Sequence, residues 1–452
     1  MSRELRFHKL NKRKLIIIGL VILLLVLPFI LLAVYQIQNT ISRAALPDQL
    51  EIETGVLSSI GVIKQSDSGA SGGQYVVFNT SQPTPTPSTT GKYPPSQTGV
   101  TYIAVPNLAL PTYLTEVKDP TFAGTIIRVS NVDGYRNQYP KKAAWNADGS
   151  YAFLNYGKRL LDGNTYKDLG AISSAPGRAT WSNVDPDIIW GTHNSDNRLK
   201  KYSVSKKTTT YRTFSGYTEV DLGNGEGNVS DDDRYVGLVA YPTTGGVQAM
   251  HFDIANDKIL YTATLPTEPD WLGVSHSGRY LVVSYGPDGS GSANGFKIYD
   301  RLSSNPSQPR HLADVSSHAD FVTMQDGTEV LVHIAGSLRA IRLSDGQSWN
   351  VLSNSSFGHI SGRAIDRPGW IYVSGNVYSS LGDPGHDQLA AVKVDGSQTV
   401  QVFAHARTIQ PRDEYVYSDS THAVPNRDGT KIMWGGRWND TGGLYSYVVA
   451  VK

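Results

Sequence analysis

Cysteine is absent from all 452 residues. That excludes a disulfide framework, a cysteine nucleophile, a thiolate zinc site and a lipid-modified cysteine anchor. An excess of either charge is lacking as well: 41 Lys and Arg face 40 Asp and Glu, and only 18% of residues are charged. With a net charge of +1 no overall basic field draws the chain to nucleic acid, so no nucleic-acid partner is expected. Two motif-borne enzyme classes are missing, since neither H-E-x-x-H nor G-x-x-x-x-G-K occurs. What is there is rich in turn and strand formers: 44 Gly, 23 Pro, 25 Tyr and 8 Trp. Such a composition points to short strands and many tight turns, an all-β class.

One long apolar run stands near the start. Residues 15–34 (LIIIGLVILLLVLPFILLAV) carry no charge over 20 positions, which matches the ~20 residues a helix needs to cross ~30 Å of hydrocarbon. Pro28 is tolerable in such a helix. The run exceeds the ~7–15 apolar residues of a cleaved signal, so residues 15–35 are expected to form an uncleaved transmembrane signal anchor. Cleavage near residues 42–45 is the alternative. Arg3, Arg6, Lys9, Lys12, Arg13 and Lys14 precede the run against Glu4 alone. The positive-inside rule then makes residues 1–14 a cytoplasmic basic tail and puts everything after Tyr35 outside. The membrane is therefore an expected partner, through a single span.

Residues 36–100 form a linker rich in Ser, Thr, Pro and Gly, with SDSGASGGQ (66–74) and NTSQPTPTPSTTGKYPPSQTG (79–99). Sequence of this kind buries too little apolar area to offset its ordering entropy, so it is expected to be disordered or extended. Short apolar stretches at 55–63 and 75–78 read as strands or partner-binding segments.

Residues 101–452 repeat one unit seven times. Each copy has a short apolar strand, a tight turn of Asp-Gly type, then a strand of aromatic and β-branched residues; AAWNADGSYAFL (143–154) and AVPNRDGTKIMW (423–434) are examples. The turns fall at Asp148, Asp185, Asp232, Ser277, Asp326, Pro368 and Asp428, at spacings of 37, 47, 45, 49, 42 and 60. A period of ~40–50 residues with four strands per unit predicts an all-β, seven-bladed β-propeller. The last repeat stops after LYSYVVAVK (444–452), one strand short. The orphan strand GTIIRVSNV (124–132) is expected to complete that blade and lock the ring.

Phrases such as WNADGSYAFL and VPNRDGTKIMW resemble the TolB-like propeller repeat, over about residues 124–452. A narrower resemblance is to oligogalacturonide lyases. It implies a seven-bladed propeller whose channel histidines hold a metal and which cleaves acidic sugars by β-elimination. This chain departs from that pattern in lacking a close His-x-His pair.

In such repeats the residues before the Asp-Gly turn form the innermost strand, whose start opens at one mouth of the channel. Reading that position round the ring gives Glu226, Asp270, His318 with Asp320, His359 with Arg363, and His422. The first two repeats add Tyr139, Lys141 and Arg178. His318, His359 and His422 lie 41 and 63 residues apart, so only the fold can bring them together. Imidazoles converging on a cavity suit a divalent Mn, Zn or Fe, and this trio is the metal candidate. Each of them can equally hydrogen-bond a neighbouring blade. Arg363, Tyr139 and Lys141 are the catalytic candidates; Glu226, Asp270, Asp320 and Arg178 are the ligand-binding ones. Arg363 has a plain alternative as a buried tie to Asp320 or Asp366. Trp145, Trp181, Trp190, Trp271, Trp370 and Trp434 read as blade packing, and His193, His251, His333, His386 and His405 as incidental.

Three function classes follow. The first is an anchored extracytoplasmic module that binds a polysaccharide or a surface protein at the channel mouth and loops. The second is a metal-assisted uronate lyase, in which a metal or Arg363 neutralises the substrate carboxylate and a His, Lys141 or Tyr139 takes the adjacent proton. The third is a scaffold in an envelope complex.

Overall fold

The computed structural model describes residues 62–66, 74–78, 92–154, 157–172, 174–286, 294–314, 317–375, 379–408, 420–440 and 443–451. The expected basic tail and membrane span lie outside the described residues, as does most of the linker. Among the described residues no helix is long and apolar enough to cross a membrane. Contacts divide the chain into two units, Met1–Ser88 and Thr89–Lys452. The first holds an antiparallel hairpin, Val62–Ser66 against Gln74–Phe78.

The second unit is a seven-bladed β-propeller. Each blade is an antiparallel sheet, and in blades one to five the strands run outward from the channel in sequence order. Blade four is typical: Trp271–Val274 is innermost, followed by Tyr280–Ser284, Phe296–Asp300 and Arg310–Ala313. The Asp-Gly turns form as the sequence demands. Asp148, Asp326 and Asp428 each accept a hydrogen bond from the backbone N–H two residues on, and the glycine between takes positive φ (74°, 81° and 71°).

The core is not one mass but seven wedges, one between each pair of neighbouring blades. Phe153 of blade one stacks on Trp181 of blade two at 4.0 Å within one wedge. Val322 and Leu338 of blade five meet Ile371 and Val392 of blade six in another. The ring closes where Trp145 and Leu154 of blade one meet Val424, Met433 and Val448 of blade seven. Inner strands approach so closely that a side chain at Gly223 (φ +57°) would collide with the Leu272 carbonyl.

Blade seven is built from both ends of the domain. Val424–Pro425, Lys431–Arg437 and Leu444–Val451 come from the C-terminal repeat, and Gly124–Arg128 is the fourth strand, with Ile126 opposite Val449. Ahead of it runs a strap. Gln97–Thr98 adds a fifth strand to blade six and Glu116–Lys118 a fifth to blade seven. Tyr93 lies against the Arg367 guanidinium at 3.7 Å, and buried Asp119 bonds His405. The expected linker, 36–100, is thus corrected at its end: residues 92–100 belong to the propeller, because Tyr93 and the strand at 97–98 find apolar and backbone partners there.

Removing residues 443–452 takes away the strand on which both Lys431–Arg437 and Gly124–Arg128 pair. Circular dichroism of that truncation should show no cooperative thermal transition, whereas trimming a free edge would only lower the midpoint. Ile126→Ala, which leaves the seam but empties its centre, should cost about 2–5 kcal/mol in a denaturant titration.

Candidate functional site at the channel mouth

The chain leaves Arg128 at the rim of blade seven and reaches Trp145 of blade one by a crossover that dips into the ring. Asn137 donates to the carbonyl of His422 in blade seven. The Ser361 hydroxyl of blade six donates to the Pro140 carbonyl at 2.6 Å, and Asn228 of blade three donates to the Lys141 carbonyl. Lys141 Nζ lies 2.7 Å from Glu226 and 3.8 Å above the Trp271 ring of blade four. Lys142 Nζ donates to the Gly227 carbonyl at 2.7 Å. One short segment is therefore tied to four blades and stoppers the channel.

Around this stopper the three predicted histidines do converge. The Tyr139 ring stands 6.4 Å from His318, 5.8 Å from His359 and 5.0 Å from His422. His318 and His359 stack at 4.2 Å with a 30° tilt, and His359 meets His422 edge-on at 4.4 Å. Tyr139 and His318 are half-buried and reach the mouth; His359 and His422 lie beneath them. The backbone of Gly358 in blade six favours the charged form of His318, against the burial. Arg136, 1% exposed, donates to His422 Nδ1 at 2.6 Å and to the Ser420 carbonyl at 2.7 Å.

Burial depresses all three imidazoles below the usual histidine range, His359 and His422 by a wide margin. Beyond desolvation, nearby cations add to the effect: Lys141 at His318 and at His359, Arg136 at His359 and at His422. The trio is neutral at pH 7 and sits in a positive local potential. Burial raises Glu226, with Lys141 opposing the shift. It drives Lys142, 2% exposed, from 10.5 down to about 7, against the pull of Asp221 and Glu226 and with Arg178 and Arg363 adding to it.

A metal does not fit this arrangement as it stands. A neutral imidazole has one lone pair in its ring plane, and that of His422 already receives the Arg136 guanidinium, which can only donate. Among the described residues no group of three or more His, Asp or Glu side chains is placed to hold a metal ion.

The remaining predicted residues divide between the two ends of the channel. Arg178 pairs with buried Asp221 and bonds Asn194 and Asn224 at the histidine mouth, and exposed Asp270 lies beside them. Arg363 and Asp320 do not join this group. Arg363 lies four residues past His359 and beyond the end of its strand, up to ~13 Å at ~3.3 Å per residue, toward the opposite mouth. There Arg363, 5% exposed, bonds His276 at 3.0 Å and lies 3.7 Å from Asp320. Asp320, 2% exposed, accepts the backbone N–H of Gly362 and of Phe321. These contacts tie blades four, five and six together. Asp366 pairs instead with Arg427.

Arg136, Lys142, Trp271 and His276 went unread as site residues. The signal for the first two was the polar run YRNQYPKK (135–142) in a crossover much longer than, for example, the one between Leu352 and Phe357. Of the histidines set aside as incidental, His251, His333, His386 and His405 are buried in the blades.

A cavity of about 740 Å³ lies on the opposite face, lined among others by Asp231, His276, Arg279, Thr323 and Glu329. Several of its polar groups bond within the protein: Glu329 accepts from Ser277, Arg279 pairs with Asp300, and His276 Nδ1 meets Thr323. Arg363 donates to His276 Nε2, so the His276 proton is on Nδ1 and Thr323 is an acceptor there, not an activated nucleophile.

Among solved structures, the oligogalacturonate lyase of Vibrio parahaemolyticus matches with a TM-score of 0.54 and 12% identity, over 75% of this chain and 96% of that one. A chain of a mitotic checkpoint complex matches at 0.47 and 14% identity (77% and 97% covered), and hydrazine synthase of Kuenenia stuttgartiensis at 0.41 and 12% (72% and 99%). At such identities the first likeness is one of fold, and it supports an oligogalacturonide-lyase-like propeller. No protein-family model matches the sequence, so the TolB-like reading rests on the repeat phrases, and no curated protein matches it.

Lys142 gives the site a pH signature. The folded chain holds its proton less tightly than the unfolded chain does, so its ionisation destabilises the fold below about pH 7. That penalty fades as pH rises toward 10.5. Lys142→Met should therefore stabilise the fold at pH 6, by up to about 1.4 kcal/mol for each pKa unit that burial removes, read as a higher melting temperature. Its advantage over the parent should shrink steadily in scans up to pH 10.

Proposed function

We propose that this protein is a membrane-anchored, extracytoplasmic binding module that takes a glycan at the histidine mouth of its propeller. The observation that carries the reading is the convergence there of Tyr139, Lys141, Arg178, Glu226, Asp270 and His318, delivered by separate blades and the crossover. Rigid aromatic rings beside pre-paired charges suit a ligand with apolar ring faces and many hydroxyls. The apolar run at 15–34 and the basic residues before it support the anchor and the outward topology.

Full-length protein in detergent, screened on a glycan array, should bind a defined subset of glycans. Tyr139→Ala with Glu226→Gln should weaken that binding at least tenfold (about 1.4 kcal/mol). Unaltered binding by the double variant, or capture of a surface protein without any glycan, would overturn the glycan reading. The absence of cysteine makes the topology testable without background. Ser304→Cys should react in intact cells with a membrane-impermeant maleimide, and Ser2→Cys should react only after lysis.

A second reading is a lyase acting on uronate polymers, favoured by the fold likeness to a protein described as an oligogalacturonate lyase. At this mouth Lys141 or Arg178 would neutralise the uronate carboxylate, and Tyr139 or a neutral His318 would take the adjacent proton. Incubation with polygalacturonate and with uronate-bearing glycans, followed by ultraviolet absorbance of the unsaturated product, tests it. Turnover lost in Tyr139→Phe would favour catalysis over binding.

A further inference from the structure

We infer that the face opposite the histidine mouth carries a second glycan site, a cleft between blades five and six in which Trp349 is the stacking platform for a neutral sugar. This goes beyond the mouth reading and does not depend on it. The cleft has a volume of about 600 Å³, within the ~300–1,000 Å³ of small-ligand sites. Its walls come from segments 324–328 and 342–350 of blade five and 368–369 and 393–396 of blade six.

Trp349 is set as a stacking ring requires. Its indole N–H donates to the Val394 carbonyl of blade six at 2.7 Å, which fixes the ring plane across the junction of the two blades. The ring packs against the apolar wedge of blades five and six, yet it stays only half-buried and lines the cleft. Gly396 (φ +83°) stands beside it; a Cβ there would lie 3.6 Å from Trp349 Cδ1, so the bare turn leaves that side of the ring uncovered. Around the ring stand the exposed amides of Gln325, Gln347 and Asn350, each with donors and an acceptor to offer.

The charges of the lining balance, Asp326 and Asp395 against Arg342 and Lys393. Both cations are already paired, Arg342 with Asp345 at 2.9 Å and Lys393 with Asp395 at 2.8 Å. A lining without net charge gives an ionic ligand no preference. A flat apolar face flanked by fixed donors and acceptors matches a sugar ring, apolar on its C–H face and hydroxylated at its edge. The neighbouring cavity of about 740 Å³ lacks both features. Asp231, Asp232, Asp326 and Glu329 stand there against Arg279, whose guanidinium lies 4.8 Å from the centre of the Tyr280 ring.

The test uses the full-length chain in a detergent without a sugar headgroup, titrated calorimetrically with cellotetraose, mannotetraose and tetragalacturonate. At least one neutral tetrasaccharide should bind the wild type, and Trp349→Ala should weaken it about tenfold or more. Gln347→Ala, which leaves the ring and its bond to Val394 in place, should weaken it by a smaller factor and decides the matter where Trp349→Ala fails to fold. A wild type that binds neither neutral probe would overturn the inference. So would equal binding by wild type, Trp349→Ala and Gln347→Ala, or tetragalacturonate bound in preference to both neutral probes and lost in Trp349→Ala. Neutral-sugar binding lost in Tyr139→Ala with Glu226→Gln but kept in Trp349→Ala would assign it to the mouth, which separates the failure of this site from that of the mouth reading.

Discussion

The seam between Gly124–Arg128 and Leu444–Val451 is the constraint on which the rest of the molecule depends. Seven wedges of side chains hold the blades together, and each wedge touches only its two blades. No single wedge sets the diameter of the channel; closure does. Once the two ends of the domain share one sheet, every inner strand is fixed relative to those across the hub. Residues as distant in sequence as Arg136 and His422 then meet at 2.6 Å. The seam also removes the sheet edges that an open ring would expose. The strap over blades six and seven shields the same region, so the closure is covered from outside as well.

What closure creates is a narrow, polar, water-poor hub, and such a hub is costly unless its charges are matched. The crossover supplies the matching. Lys141 takes Glu226 and the face of Trp271, Arg136 takes His422 and a carbonyl, and Lys142 takes a carbonyl alone. Lys142, with no carboxylate in contact, is the member whose ionisation burial penalises most, which is why its pKa falls farthest from the lysine range. The histidines complete the packing as neutral rings. Their neutrality follows from desolvation and from the cations beside them, so they contribute surface and hydrogen bonds instead of charge.

Much of this was legible in the sequence, for reasons that can be named. The Asp-Gly turns announce themselves because only a few residue types take positive φ, and their spacing counts the blades. An unfinished last repeat and an orphan strand before the first imply closure without any coordinates. His318, His359 and His422 could be brought together because each occupies the same place relative to its turn. Position along the channel leaves less trace: Arg363 and Asp320 follow His359 and His318 closely in sequence, yet a few residues at ~3.3 Å each carry Arg363 toward the other end of a short channel. The crossover leaves no periodic trace either, because its course is set by contacts with four blades. Arg136 and Lys142 are illegible in the sequence for that reason.

The two mouths end up chemically unlike, although the ring that forms them is nearly symmetric. At the far end Arg363 is held by His276 and lies near Asp320, and Arg427 reaches Asp366 and the Asn183 carbonyl. At the near end Tyr139, His318, Arg178 and Glu226 keep part of their surface in water, and Asp270 is exposed. The crossover enters from the near side and carries its own aromatic and cationic side chains to the rim. Asymmetry of that kind comes from a single crossover, not from the repeats.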